Sequence, residues 1–400
     1  MPAADLDAAD PLAEHADRFV RPASVLAYLD GNSLGRPLKV TADRLAGFVR
    51  GPWGERLIRS WDEEWMELPF DLGDRLGRIA LGAAPRQTVV ADSTTVLLYK
   101  LLRAAADAQP GRDELVVDAE NFPTDRYVVE QVAAETGRTV RWIEPDPAGG
   151  VRAEEVAAAV SARTAAVVLS HSAYKSAYVA DLSGITAAVH EAGALVLWDL
   201  SHSVGLLDIQ LDRAGVDLAV GCSYKYLNGG PGAPAFAYVA ERHQQRLRQP
   251  VTGWMGHAEV FAMGPSYAPA DGMRRFLSGT PPILAMQPLA DMLDLIEQAG
   301  IAAIQEKSRR LTTYAIELAD ELLAPLGVEV ASPRDPRRRG GHVTFEHPEM
   351  EQVVAGLWRQ GIVPDFRRPR GLRAGMSPLS TTYAEVELAL RAVQSMLPAA

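Results

Sequence analysis

What most constrains the fold of this chain is an alternation. From about residue 86 to residue 239, short apolar runs of β character take turns with long stretches of helical pattern. The runs are RQTVVA (86–91), ELVVDA (114–119), TVRWIE (139–144), TAAVVLS (164–170), ALVLWDL (194–200), VDLAVGC (216–222) and APAFAYV (233–239). Between them stand segments such as VLLYKLLRAAADA, TDRYVVEQVAAETG and AEEVAAAVS, in which apolar residues recur at helical spacing. Strands each fed by a helical crossover lie parallel, so the pattern predicts an α/β domain with a mostly parallel sheet. Several runs are apolar throughout rather than alternating, which predicts helices covering both faces of that sheet.

After about residue 283 the texture changes to two long helices, ILAMQPLADMLDLIEQ and AIQEKSRRLTTYAIELADELLA, followed by short strands VEVAS, GHVTFEH and GIVPDFR and a terminal helix, TYAEVELALRAVQSM. This predicts a smaller α+β C-terminal domain. The expected division is an N-terminal segment over 1–50 that contributes to the site and the small domain, a large domain over 51–282, and the small domain over 283–400. The 400 residues are 48% hydrophobic and 23% charged, which suits a folded chain of this two-domain size.

The net charge of −11 has the wrong sign for gripping a phosphate backbone, so no nucleic acid partner is expected. A single cysteine, Cys222, rules out an internal disulfide and a Cys-rich zinc site. Histidines 15, 190, 243, 257, 342 and 347 show no HxH or HExxH spacing, so no catalytic metal is expected. The start, MPAADLDAADPLAEHADRF, is acidic and lacks an apolar signal core, and no window approaches about 18 uninterrupted apolar residues. The expectation is a cytoplasmic protein with no membrane partner.

Ligands of open α/β sheets bind outside the carboxyl ends of the strands, and four polar clusters fall there. Asp92-Ser93-Thr94-Thr95 stands between a strand and a helix; by itself it reads first as an N-cap, and second as a phosphate cup. The neighbouring GPWGE and GNSLG read as turns without Walker spacing, which excludes a nucleotide P-loop. Asn121-Phe122-Pro123-Thr124-Asp125 follows ELVVDA and offers an aromatic face. Asp199 ends the strand ALVLW with His202 close behind; a carboxylate buried there needs a cationic or hydrogen-bonding partner. Lys225 follows the strand VDLAVGC, flanked by Tyr224 and Tyr226 and entering the Gly-rich NGGPG. A desolvated lysine there has a lowered pKa and is a nucleophile able to form a Schiff base. Lys175, in polar and Gly-poor surroundings, reads as a loop residue, and Arg337-Arg338-Arg339 as a solvated loop.

Acid, lysine and anion cup are together what pyridoxal phosphate requires: a partner for its pyridine nitrogen, an amine for its aldehyde and a cradle for its phosphate. Over nearly its whole length the chain resembles the kynureninases, within the aspartate-aminotransferase-like (fold type I) pyridoxal-phosphate enzymes. The resemblance is carried by LDGNSLGRP (29–37), IRSW (58–61), DSTTV (92–96), FPTD (122–125), WDLSHS (198–203), GCSYKYLNGGPGAPAF (221–236), GWMGH (253–257), FLSGTPPI (276–283) and LRAGMSPL (372–379).

By that resemblance Lys225 would be the Schiff-base lysine and Asp199 the partner of the pyridine nitrogen. Thr94, Thr95, Ser170, His202 and Tyr224 would hold the phosphate or ring oxygen, with Phe122 stacked on the ring and Asp125 supporting it. Trp254 and Thr280 would reach cofactor and substrate across a homodimer interface. Arg373 would hold the substrate α-carboxylate, and Asn32 and Ser33 would line its pocket. The implied reaction is hydrolysis of the Cβ–Cγ bond of L-kynurenine or 3-hydroxykynurenine to an anthranilate and L-alanine. Tyr224 is favoured as the acid that reprotonates the alanine fragment, with a phosphate-ligand role equally open to it.

The segment SHSAYKSAYVAD (170–181) and Ser380, where the family commonly has tyrosine, depart from the pattern and bear on substrate identity. A relative acting on a modified kynurenine therefore stays open as an alternative, and a non-catalytic sensor stands behind it. A desulfurase needs a mobile thiolate, and Cys222 is expected in a strand, buried and inert.

Overall fold

The computed structural model describes residues 2–398. Helix α1 (Ala3–Ala8) leads through a 3-10 turn to the short strand β1 (Ala27–Leu29) and helix α2 (Lys39–Phe48). Residues 49–56 and 61–65 then wind in wide π-type turns ahead of α3 (Leu68–Leu76). GPWGE therefore lies inside a helical coil and not in a turn. Pro52 lacks the N–H of a regular α-helix, and the widened coil accommodates it.

The large domain then runs β2 (Thr88–Ala91), α4 (Thr94–Asp107), β3 (Glu114–Asp118), α5 (Pro123–Thr136), β4 (Thr139–Ile143), α6 (Ala153–Ala159), β5 (Thr164–Ser170), α7 (Leu182–Glu191), β6 (Leu195–Asp199), β7 (Leu218–Gly221), β8 (Ala235–Val239) and the short α8 (Glu241–Gln244). Its seven strands lie in the order β2-β8-β7-β6-β5-β3-β4. Strands β3 to β7 pair in parallel, and β8 is antiparallel to both its neighbours, β7 and β2. Every strand except β8 thus aims its carboxyl end at one edge of the sheet.

A helical crossover does not feed every strand. The link from β6 to β7 is a turn-rich segment over 200–217, and β7 returns as β8 through the loop 222–234. Antiparallel neighbours need only a short return, and Asn228, Gly230 and Gly232 provide it with φ of 49°, 86° and 75°. Cys222 accordingly stands just beyond β7 rather than within it.

Successive strand residues serve opposite faces. Val196 and Trp198 join one buried layer with Ile185 and Val189 of α7, whereas Leu195 and Leu197 join the other with Leu98 and Leu101 of α4. Burial of both faces explains why these strands are apolar at every position.

The rest of the chain contains α9 (Ile283–Ala299), α10 (Ile301–Leu322), β9 (Glu329–Val330), β10 (His342–Glu346), α11 (Met350–Arg359), β11 (Ile362–Arg367), β12 (Gly371–Gly375) and α12 (Tyr383–Met396). The small sheet has the order β1-β11-β12-β10-β9, with β1 parallel to β11 and the other pairs antiparallel. Packing changes hands inside α10, one helix after the change of texture at 283. Met286, Leu289 and Leu293 of α9, and Ile304, belong to the large domain's core, whereas Leu311, Ile316 and Leu322 join β10, β12 and α12. Of the three consecutive arginines, Arg337 and Arg338 are exposed, but Arg339 is buried and donates to the Pro333 and Arg334 carbonyls and to Thr313 Oγ1. No described helix is long and apolar enough to cross a membrane.

Candidate active site

Lys225 emerges just past the carboxyl end of β7 and is 9% exposed. Its Nζ lies 3.0 Å from His202 Nε2 and 5.8 Å from the ring centres of both Phe122 and Tyr224. The N-terminal LDGNSLG segment clamps this loop: the Gly35 N–H donates to the Tyr224 carbonyl at 2.8 Å. A Cβ at Gly35 would stand 2.4 Å from the Lys225 carbonyl oxygen, so glycine alone permits the approach.

His202 is buried, and burial first, then the charge of Lys225, holds its pKa well below the usual value. The neutral ring accepts from Lys225 through Nε2 and carries its proton on Nδ1, a buried donor that no atom of the described residues meets. Its ring lies 5.7 Å from that of His342 on β10, which faces the Lys175 carbonyl at 3.2 Å.

At the end of β6, Asp199 stands in register with Ser170 of β5 and accepts from the Ser201 N–H at 2.8 Å. Asp125, in the first turn of α5, is buried against it. Burial, and then the negative charge of Asp199, pushes the Asp125 carboxyl well above the ordinary range, with Lys225 opposing. Asp125 Oδ2 is a second buried atom without a partner among the described residues. Ser170 Oγ donates to Asn121 Oδ1 at 2.7 Å, and the same oxygen accepts the Phe122 N–H.

At the end of β2, Ser93 caps α4 by accepting the Val96 N–H. The first turn leaves Thr95 exposed and Thr94 half-buried, with backbone donors that have no helical acceptor. On the small domain, Arg373 of β12 is 1% exposed. It donates to the Tyr174 carbonyl at 2.6 Å and to Ser33 Oγ at 3.0 Å, and pairs with Asp365 at 2.7 Å. With the Asn32 amide oxygen turned toward the guanidinium, Nε donates to it at 2.7 Å. The Tyr174 ring meets Phe122 edge-on at 5.4 Å, so a single residue joins the arginine to the aromatic face beside Lys225.

The fold thus gathers Lys225, Tyr224, His202, Asp199, Asp125, Ser170 and Phe122 at one mouth, with Arg373, Asn32 and Ser33 beside it. It does not gather Trp254 and Thr280: among the described residues no hydrogen bond or ring contact joins either to that group. Trp254 lies 6.1 Å from Phe261, and Thr280 is exposed. Lys175 stands in a turn, paired with Glu120 at 2.6 Å. Tyr174, His342 and Asp365 join the site without any sequence signal, since each owes its place to contact between domains or between β11 and β12. Cys222 is buried, and burial raises its thiol pKa, which leaves no thiolate for sulfur chemistry.

Pyridoxal phosphate fits this donor set. The His202 Nδ1 and Asp125 Oδ2 orphans need partners, the amine of Lys225 faces an aromatic ring, and the start of α4 offers hydroxyls and free N–H groups.

Comparison with known proteins adds the following. Residues 304–393 match the family model "Kynureninase C-terminal domain". The kynureninase of Pseudomonas fluorescens is 41% identical over 389 residues, covering 95% of this chain and 91% of that protein. That of Burkholderia mallei (strain SAVP1) is 40% identical over 399 residues, covering 98% and 94%. Among solved structures, a cysteine desulfurase from Thermococcus onnurineus NA1 superposes with a TM-score of 0.81 at 18% identity over 99% of this chain and 98% of that one. The cystine C–S lyase C-DES gives 0.80 at 19% identity, covering 94% and 99%. At such identity these two speak for the fold alone.

Proposed function

Because the chain belongs to the kynureninase family, we propose that it is a pyridoxal-phosphate-dependent hydrolase of the Cβ–Cγ bond of L-kynurenine, 3-hydroxy-L-kynurenine or both, releasing L-alanine and the matching anthranilate. The observation that carries this reading is the buried convergence of Lys225, His202, Asp199 and Asp125 beside Arg373.

When bound, the cofactor supplies an aldehyde for amines and a protonated ring that takes up electrons released from the substrate. Asp199 would face the ring nitrogen and keep it protonated, with the buried Asp125 supporting it. Thr94 and Thr95 at the start of α4 would hold the phosphate, and Phe122 would cover the ring. With the cofactor bound, Lys225 Nζ would take the Cα proton and later return it, while neutral His202 accepts from that nitrogen and keeps it aimed.

Water adds its oxygen to the aryl ketone carbon and gives up a proton, the Cβ–Cγ bond breaks with its electron pair passing to the Cβ fragment, Cβ takes a proton from Tyr224, and the proton released by the water restores that hydroxyl. Burial raises the pKa of that hydroxyl, so it still carries its proton when needed. Arg373 holds the α-carboxylate by exchanging its contacts with Asn32 and Ser33, while Asp365 keeps the guanidinium in place.

The site is completed by a second copy of the chain, whose Trp254 and Thr280 reach the cofactor phosphate and substrate. The lack of a hydrogen bond or ring contact from either residue to the Lys225 group among the described residues supports this, as do exposed apolar side chains at Ile58, Phe261 and Met263, exposed by 76%, 60% and 71%. The reduced, buried Cys222 suits a cytosolic setting.

The test is turnover by purified protein of kynurenine, 3-hydroxykynurenine and ring-substituted kynurenines, followed by anthranilate fluorescence and alanine release. Equimolar alanine and anthranilate are expected. A yellow, loaded protein that turns over none of them would refute the activity. Turnover of a substituted kynurenine alone would move the substrate to the modified class, consistent with the departures at 170–181 and Ser380.

A further inference from the structure

We infer that Lys100 is a positioning residue for the cofactor phosphate: its ammonium cancels the charge of Asp92 at the base of the Thr94-Thr95 cup, so that the cup can take a dianion. This rests on the phosphate placement proposed above.

Lys100 lies on α4 and is 1% exposed, a burial that lysine tolerates only when paired. Side chains on a helix lean toward its N-terminus, and this one reaches back to Asp92, just outside the helix, with Nζ 2.8 Å from Oδ2. Burial lowers the pKa of Lys100 and the Asp92 charge opposes that fall. Asp92 itself is held in an unfavourable conformation, with φ of +44° at a residue that is not glycine. Its carbonyl accepts the Ala235 N–H at 3.0 Å, so main chain and side chain are both pinned. Strain maintained from two sides, next to a proposed binding site, is a reason to look for a function.

The functional reason is electrostatic. A carboxylate two residues before Thr94 opposes a phosphate bound at the same helix end, whereas an ion pair there is neutral and leaves the helix dipole and free N–H groups to attract it. The same Nζ donates to the Phe276 carbonyl at 2.7 Å. That carbonyl ends the turn Gly272–Phe276, four residues before Thr280, so one ammonium fixes both the cup and the segment proposed to serve the partner's site.

The decisive measurement compares, by equilibrium dialysis of the apoprotein, affinity for pyridoxal phosphate with affinity for pyridoxal, which has the same ring and aldehyde but no phosphate. Lys100→Met should weaken pyridoxal phosphate about tenfold or more, the scale of one unbalanced charge acting through partly hydrated protein, and leave pyridoxal nearly unchanged. Adding Asp92→Asn should restore most of the loss although the ion pair is still gone. Asp92→Asn alone, which keeps the lysine and serves if Lys100→Met does not fold, should not weaken pyridoxal phosphate.

Equal loss for both ligands, no recovery in the double variant, or a loss in Asp92→Asn would make Lys100 a mere strut and overturn the inference. Thr95→Ala separates the two levels. If it weakens pyridoxal phosphate selectively while Lys100→Met does not, only the Lys100 inference falls. If Thr95→Ala leaves the ratio of the two affinities unchanged, the phosphate placement falls and the inference with it.

Discussion

Arg373 is gripped from several sides, by Asp365, the Tyr174 carbonyl, Ser33 and Asn32, and those contacts use the planar fork that only arginine has. The substrate carboxylate proposed to dock there must match the same fork. Arg373→Lys should therefore cut kcat/KM by more than tenfold, since a desolvated charged pair contributes about 2–5 kcal/mol at roughly 1.4 kcal/mol per tenfold. The visible absorbance of the loaded protein should stay unchanged, because the cofactor is held elsewhere. The pairing with Asp365 also predicts a lower Tm, so the two readouts divide the roles: a less stable enzyme with normal kinetics would end the carboxylate assignment. Lys225→Ala should abolish the covalent attachment of the cofactor, and borohydride reduction of the native protein should fix the cofactor to Lys225. Attachment to Lys175, which pairs with Glu120, would show the site to be misassigned.

At the scale of elements, the mouth depends on the relative placement of β6 and β7, and Asp217 just before β7 sets it. Its buried carboxylate receives the Val196 N–H at 2.9 Å, His190 at 2.9 Å, and Arg242 and His243 at 2.6 Å each, tying β6, α7 and α8 to the start of β7. Burial alone would raise its pKa, but hydrogen bonds from His243, Val196 and His190 overrule burial and hold it at about 2 against the ordinary 3.8. A carboxylate whose folded pKa lies below its unfolded one stabilises the fold fully above the unfolded value, and that contribution is lost as pH falls toward the folded value. Asp217→Asn should thus lower stability at pH 7 by about 2 kcal/mol, at about 1.4 kcal/mol per pKa unit. The gap to wild type should close as pH falls from about 4 to 2. Thermal melts across that range decide it; a gap independent of pH would mean that the contacts of Asp217 act by shape rather than charge.

For the whole molecule, the separation of Trp254 and Thr280 from Lys225 makes shared sites testable. The Lys225→Ala and Trp254→Ala variants should each be inactive or nearly so. Mixed under conditions that let subunits exchange, they should regain part of the activity, because one of the two sites in a hybrid has both residues intact. A protein that stays monomeric and fully active at every dilution would exclude this arrangement.

Much of the architecture is legible in the chain itself, because both faces of the large sheet are buried. Runs such as TAAVVLS and ALVLWDL must be apolar at every position, and their ends mark where Ser170 and Asp199 stand. Lys225 was legible for the same reason, as a charge that follows an apolar strand and enters a Gly-rich turn. β12 was not: GLRAG has two glycines and a buried arginine, and it becomes a strand only through ladders from β10 and β11. Nor did spacing announce Tyr174 and His342, which meet Arg373 and His202 across a domain boundary, Asp365, which meets Arg373 between β11 and β12, or the bond from Lys100 to the Phe276 carbonyl. Local pattern determined the elements and the strand-end chemistry, since those depend on period and neighbouring residues. Contacts between residues far apart in sequence decided which buried charges are balanced and which hydrogen-bonding atoms are left free for a ligand, and only the folded chain brings those atoms together.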